Sequence, residues 1–151
     1  GKGTSAVPWP SREAQADPHA YTFSLTALMG GLGMRYLPDD PGDERVDEML
    51  LSFPTLIADG KPLVESDSGQ RARRTAVAED ADMVDYVIVT EKGTLTLYEL
   101  SHWLAQQPEK FVIAGNLDGG PSTGISIENG DDAVDVLSAV VPNVVAVFTS
   151  E

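Results

Sequence analysis

Short apolar runs separated by turn residues dominate the chain from residue 53 onwards. Runs of this length, bounded by Gly, Pro, Asn and Asp, are typical of β-strands. The dipeptide Asn129-Gly130 between two such runs predicts a β-hairpin. The expected strands cover residues 56–57, 75–78, 84–90, 111–117, 125–127, 134–137 and 144–148, with turns at 59–60 and in the acidic loop 79–82.

Two other segments carry helix signals. Thr96 and Glu99 have the spacing of a capping box and Pro108 stops the pattern, so a helix is expected over residues 97–107. A shorter helix is expected over residues 42–52, after a first turn rich in acids and proline. Residues 21–29 are apolar enough for burial, but their pattern fits helix and strand equally. Together these elements predict an α+β fold with a mixed, largely antiparallel sheet and one main packed helix.

The composition is that of one globular domain. The chain has 151 residues, 42% of them hydrophobic, which suits a single core. Residues 1–20 carry three prolines and little periodicity, which predicts an extended arm or linker before a domain over residues 21–151. The absence of cysteine excludes disulfides, catalytic thiols and Cys-ligated zinc.

The sequence shows no run long enough to span a bilayer and no signal-peptide pattern. The first residue is Gly, which is compatible with a processed or truncated piece that lacks an N-terminal portion. We expect an exported protein whose signal is not part of this chain.

The formal net charge of −14 argues against nucleic acid and anionic membranes as partners, since both require a basic face. One cationic cluster stands out, because Arg71, Arg73 and Arg74 are three of only ten basic residues. Guanidinium groups bind two phosphate oxygens at once. The cluster is therefore a candidate phosphate site, although Arg71 and Arg73 also fit solvated positions on an exposed loop.

A polar, glycine-rich segment follows the apolar run at 111–115. Residues 116–124 read Asn-Leu-Asp-Gly-Gly-Pro-Ser-Thr-Gly, and we call residues 118–123 the signature turn. Glycines let a ligand approach the backbone, and a neighbouring carboxylate can act as an acid, base or nucleophile. Asp118 can equally cap its own turn.

Residues 116–123 resemble the signature of the phosphodiester glycosidase family. Four further segments occur in the order expected of that family, and together the five cover residues 53–149. The further segments are 53–61 (Phe-Pro-Thr-Leu-Ile-Ala-Asp-Gly-Lys), 74–78 (Arg-Thr-Ala-Val-Ala), 93–100 (Gly-Thr-Leu-Thr-Leu-Tyr-Glu-Leu) and 141–147 (Val-Pro-Asn-Val-Val-Ala-Val). The resemblance implies a hydrolase that cleaves the sugar C1–O bond of a sugar-1-phosphodiester glycoconjugate, so a carbohydrate phosphodiester is the expected substrate.

The resemblance also implies roles for charged residues. A phosphate leaving group is already acidic, so Asp118 is expected to act as a nucleophile, as a base for water or as a stabiliser of positive charge at C1. Arg74 is expected to anchor the phosphate. Glu99 is a candidate for a second catalytic carboxyl, but the capping box explains it without any chemistry.

The remaining candidates are uncharged and would bind substrate. Backbone N–H groups of Gly119, Gly120 and Ser122 are candidates to stabilise developing negative charge, whereas Pro121 has no N–H to offer. The hydroxyls of Ser122 and Thr123 are expected to bond phosphate or sugar oxygens. Asn116 and Asn143 fit ligand-orienting amides or ordinary anchors of strand ends.

No cofactor is required for this chemistry. A divalent cation held by Asp118 and a substrate phosphate is compatible with it, whereas two histidines make a His-based metal site a poor fit. The alternative function is a non-catalytic carbohydrate- or phosphate-binding domain of the same fold, or an incomplete fragment. Pro121 and the unmatched first 50 residues favour the binding domain, and the family's early N-G-x-F/Y-F/Y pattern, which is not found in those residues, also fits an incomplete fragment.

Overall fold

The computed structural model describes residues 22–28, 31–39, 49–141 and 144–147. Within these ranges the chain forms ten β-strands and one α-helix. The strands are β1 (Phe23–Leu28), β2 (Gly31–Tyr36), β3 (Met49–Ser52), β4 (Thr55–Ala58), β5 (Lys61–Pro62), β6 (Thr75–Asp80), β7 (Asp85–Val89), β8 (Phe111–Asn116), β9 (Ile125–Asn129) and β10 (Asp132–Val136). The helix is α1 (Leu97–Leu104). The arm predicted over residues 1–20 lies outside the described residues.

A five-stranded sheet in the order β5-β4-β8-β6-β7 carries both hydrophobic clusters of the fold. All its pairings are antiparallel, so the mixed sheet expected from the sequence is corrected to an antiparallel one. The predicted α+β fold with one main packed helix is broadly compatible with this architecture, in which sheets dominate the described residues. The register opposes Val77 to Gly115, so the end of β8 lies beside the start of β6.

Helix α1 covers one face of this sheet. Thr96 and Glu99 form the predicted capping box, which satisfies N–H groups of the first turn. Leu100 and Leu104 are buried against the sheet, and the Ser101 hydroxyl donates to the Leu56 carbonyl at 2.7 Å. The helix ends at Leu104, three residues before the predicted end. It is not long and apolar enough to cross a membrane, and neither is any other helix in the described part of the chain.

A three-stranded antiparallel sheet in the order β2-β1-β3 covers the opposite face. Phe23 and Leu25 of β1 are buried in one cluster with Val77. The helix predicted over residues 42–52 is wrong for residues 49–52, which form β3, while residues 42–48 lie outside the described ranges. Pairing with β1 supplies the backbone hydrogen bonds of this segment, and so overrides its helical pattern.

Strands β9 and β10 form a separate two-stranded ribbon, as the Asn129-Gly130 turn predicts. The closing strand predicted over residues 144–148 is wrong for residues 144–147, which adopt no regular structure. Val144 and Val147 are 76% and 80% exposed, respectively. A valine-rich sequence favours extended backbone, but a strand also needs a neighbour for its hydrogen bonds.

Candidate functional site

The signature turn begins one residue after β8 and is built on a short 3-10 turn, Gly120–Ser122. Gly120 has a φ of +61°, in the left-handed region that favours glycine. The N–H of Ser122 donates to the carbonyl of Gly119 at 3.2 Å, and that of Thr123 donates to Gly120 at 3.3 Å. The glycine-rich sequence therefore folds into a compact turn with two hydrogen bonds within its own backbone.

Asp118 is exposed at the start of this turn. Its Oδ1 accepts the N–H of Gly119 at 2.9 Å, so the carboxylate does cap its own turn. The cap is compatible with a chemical role, because an ionised carboxylate has further lone pairs on both oxygens.

Residues 71–74, which we call the arginine segment, lie directly against the signature turn. The N–H of Leu117 donates to the Thr75 carbonyl and that of Gly120 donates to the Arg73 carbonyl, both at 2.8 Å. A Cβ added at Gly119 would lie 2.8 Å from the Arg73 carbonyl oxygen and 3.8 Å from the Cα of Arg74. The pairing of β6 with β8 thus continues into this contact and places Asp118 beside the segment that carries Arg74.

Arg74, the predicted phosphate anchor, is half-buried beneath the loop that precedes α1. Its Nε donates to the Leu95 carbonyl at 2.9 Å and its Nη2 to the Gln70 carbonyl at 2.7 Å. Its backbone N–H donates to Thr90 Oγ1 at 2.8 Å. Burial lowers the pKa of Arg74, but a guanidinium remains protonated near neutral pH. The side chain therefore keeps its charge and has N–H groups beyond those that bind these carbonyls.

Glu99 and Arg71 form an ion pair at the start of α1. Glu99 Oε2 accepts the N–H of Thr96 at 3.0 Å, and its Oε1 contacts Nη2 of Arg71. Arg71 also donates to the Thr94 carbonyl at 3.0 Å. These contacts tie Glu99 to the helix cap and to Arg71. Its role as a second catalytic carboxyl stays a prediction.

Arg73 joins the signature turn to the ribbon. Its Nη2 donates to the Thr123 carbonyl at 2.7 Å, and Nη1 and Nη2 both donate to the Leu137 carbonyl at 3.1 Å. The sequence also fitted a solvated loop position for this residue, but the structure gives it specific backbone partners at Thr123 in the turn and at Leu137, the residue after β10. Nothing in the sequence separates Arg73 from its two neighbouring arginines.

The N–H groups expected to stabilise negative charge already have acceptors. Those of Gly119, Gly120 and Ser122 bond to Asp118, Arg73 and Gly119, respectively. Ser122 is half-buried, whereas Thr123 is fully buried with an unpartnered Oγ1. In this conformation the turn therefore presents the Asp118 carboxylate rather than a set of free N–H donors.

The candidate amides lie in different parts of the chain. Asn116 is 9% exposed, and its Nδ2 donates to the Phe53 carbonyl at 3.0 Å. Its backbone N–H donates to the Pro54 carbonyl at the same distance, so Asn116 fastens the end of β8 to the chain before β4. Asn143 lies outside the described residues.

A metal at this site would depend on few protein ligands. The described ranges contain no group of three or more His, Asp or Glu side chains placed to hold a metal ion. A divalent cation would therefore have to rely on Asp118 and on phosphate oxygens of a substrate, and its presence stays a prediction.

Comparisons with known proteins give one family match and two similar structures. Residues 19–148 match the family model of phosphodiester glycosidases. The zebrafish N-acetylglucosamine-1-phosphodiester alpha-N-acetylglucosaminidase catalytic domain, solved in a form auto-inhibited by its pro-peptide, is 19% identical, with a TM-score of 0.52 over 69% of this chain and 41% of its own. A hypothetical protein from Synechocystis is 26% identical, with a TM-score of 0.46 over 62% of this chain and 19% of its own.

This chain therefore corresponds to less than half the length of either structure. A search of curated proteins finds no match. The family match covers most of the chain and includes the arginine segment and the signature turn. The chain belongs to the phosphodiester glycosidase family.

Proposed function

We propose that this chain is a hydrolase that cleaves the bond between C1 of a sugar and the oxygen of a phosphodiester. Family membership supports the proposal, and one structural observation carries it further. The hydrogen bond from Gly120 to the Arg73 carbonyl sets the exposed carboxylate of Asp118 beside the segment that carries Arg74. A carboxylate on one segment and a protonated arginine on its neighbour suit a reaction in which one substrate spans both side chains, with its phosphate at the arginine and its sugar carbon at the carboxylate.

The proposed reaction divides its work between these two side chains. Arg74 binds a phosphate oxygen with N–H groups that do not hold Leu95 and Gln70. The bond between C1 and the phosphate oxygen breaks with its electron pair on oxygen, giving a phosphomonoester. Water supplies the new oxygen on C1, and Asp118 acts as its base or as the nucleophile at C1.

A non-catalytic sugar- or phosphate-binding domain is the second candidate. It is favoured by the N–H groups of the signature turn, which bond within the protein instead of facing a ligand. It is also compatible with a chain that corresponds to 41% of the zebrafish catalytic domain. Such a domain would bind the phosphodiester and leave it intact.

A panel of sugar-1-phosphodiesters that includes N-acetylglucosamine-1-phospho-mannoside tests the proposal. We expect the wild type to release free sugar and Asp118→Asn to lose about 100-fold or more in kcat, with a smaller change in KM. Asp132→Asn is the matched control, because Asp132 is an exposed carboxylate on the ribbon.

Calorimetry with the same compounds separates the two candidates. Binding by folded wild-type protein without turnover would favour the binding domain and reject the hydrolase. Turnover that survives in Asp118→Asn would keep the hydrolase but reject the role of Asp118.

A further inference from the structure

One arginine connects three separate stretches of backbone next to the candidate carboxylate. The Arg73 guanidinium donates to the carbonyls of Thr123 and Leu137, at 2.7 and 3.1 Å respectively. The carbonyl of Arg73 itself accepts the N–H of Gly120 at 2.8 Å. Arg73 therefore holds the signature turn at two points and ties it to the residue that follows β10.

The ribbon side of this connection has contacts of its own. The carbonyl of Pro121 accepts the N–H of Ala139 at 2.8 Å. A Cβ added at Gly124 would lie 2.8 Å from Ser138 Cβ and 2.9 Å from the Val136 carbonyl oxygen. The turn is consequently held by Arg73 on one side and by Ala139 on the other, and the residue that follows it, Gly124, packs closely against residues 136–138.

The bonds of Arg73 also show how it differs from a phosphate ligand. Nη1 and Nη2 both donate to backbone carbonyls, and Nε is buried without a partner. Three of its five N–H groups therefore hold backbone carbonyls and the Nε–H is buried, which leaves one N–H on Nη1 for an anion. The two carbonyls are uncharged, so the cation is used to fix backbone geometry.

We propose that Arg73 is a positioning residue, which fixes the signature turn against the ribbon and thereby sets the direction of the Asp118 carboxylate. The catalytic consequence of this inference rests on the proposed hydrolase. The hydrogen bonds of Arg73 to the Thr123 and Leu137 carbonyls, which we call the clamp, are a property of the fold and exist without that reaction. A reacting group displaced by about 1 Å can lose about 100-fold in rate, so a loosened turn should affect kcat more than KM.

Amide hydrogen exchange measures how firmly the clamp holds the turn, and it requires no substrate. Arg73→Met keeps an unbranched side chain and removes the donors, and Arg73→Lys restores a charged donor. Lys92→Met is the matched control, since the Lys92 side chain is 87% exposed. We expect faster exchange over residues 118–124 and 137–140 in Arg73→Met, partial recovery in Arg73→Lys, and wild-type exchange in Lys92→Met.

Turnover of the sugar-1-phosphodiester then tests the consequence. We expect kcat to fall about 10- to 100-fold in Arg73→Met with KM nearly unchanged, and Arg73→Lys to recover part of the loss. A rise in KM as the main effect would make Arg73 a substrate ligand and overturn the proposal. So would a folded Arg73→Met variant whose exchange in both segments matches the wild type. If the wild type does not turn over any phosphodiester, the hydrolase fails while the exchange result still decides whether the clamp exists.

Discussion

Gly115 lies beneath the ring of Phe23, where β8 packs against β1. A Cβ at this position would fall 2.3–2.4 Å from three ring carbons, and Phe23 is itself fully buried. We expect Gly115→Ala to lower the free energy of unfolding by about 1–3 kcal/mol, because the core must move apart to accept one methyl group. Urea unfolding followed by circular dichroism measures the loss.

Gly93→Ala is the matched control for that change. Its added Cβ would meet nothing within 4 Å, and its φ is not in the left-handed region. We expect a change within about 0.5 kcal/mol. Equal losses in the two variants would contradict the role of the contact with Phe23, because the lower backbone entropy of alanine in the unfolded chain favours folding at both positions.

The sequence could not predict these residue-scale features. Gly115 looks like any small residue in an apolar run, and the ring it contacts belongs to a distant part of the chain. The three arginines likewise share one side-chain chemistry. Only the fold shows that Arg73 binds the carbonyls of Thr123 and Leu137, whereas Arg71 meets Glu99.

At the scale of elements, Asp80 holds the β6–β7 hairpin together. Its Oδ1 accepts the N–H groups of Asp82 and Val84 at 2.9 and 3.0 Å, and its Oδ2 accepts the Tyr86 hydroxyl at 2.9 Å. The hydrogen bond from Val84 is the main reason that the pKa of Asp80 lies below its ordinary value. The ionised carboxylate therefore stabilises the folded hairpin.

The sign of the pH dependence follows from that lowered pKa. Stability due to Asp80 is fully present above its unfolded pKa of about 3.9, and it is lost as pH falls through the lower folded value. We expect Asp80→Asn to be less stable than the wild type at pH 7, with a difference that shrinks below about pH 4. Thermal unfolding between pH 7 and pH 2 measures this difference. Asp82→Asn, at an exposed residue of the same turn, should follow the wild type, and a gap that stayed constant with pH would contradict the role of Asp80.

The sequence predicted the two strands of this hairpin but neither their pairing nor the position of their turn. Residues 79–80 were expected in an acidic loop, and they belong to β6 instead. Charged residues are uncommon at buried positions in strands. Here the hydrogen bonds from the Val84 N–H and the Tyr86 hydroxyl satisfy the buried carboxylate of Asp80. The α1 cap and the ribbon were predicted correctly, because a capping box and an Asn-Gly turn act over a few residues.

At the scale of the whole molecule, the division of the described strands into three sheets lies beyond sequence reasoning. Strand β1 pairs with β3 and packs on β8, so its place depends on contacts between distant segments. A local pattern gives strand character without the identity of the neighbour. For the same reason, residues 144–147 look like a strand in the sequence but adopt no regular structure in the fold.

The net charge of −14 acts on the molecule as a whole. Mutual repulsion among carboxylates opposes the compact state, and the exposed ion pair Lys92–Glu91 contributes little against it. The screening length falls from about 30 Å at 0.01 M salt to about 3 Å at 1 M. We therefore expect the Tm to rise by several degrees over that range in scanning calorimetry.

Two comparisons make this prediction specific to charge. NaCl and KCl should raise the Tm equally at equal ionic strength, because screening depends on ion charge rather than ion identity. Asp132→Lys, at an exposed ribbon position, should raise the Tm at low salt and lose that advantage at high salt. A Tm that falls with salt would mean that attractive pairs such as Arg71–Glu99 outweigh the repulsion.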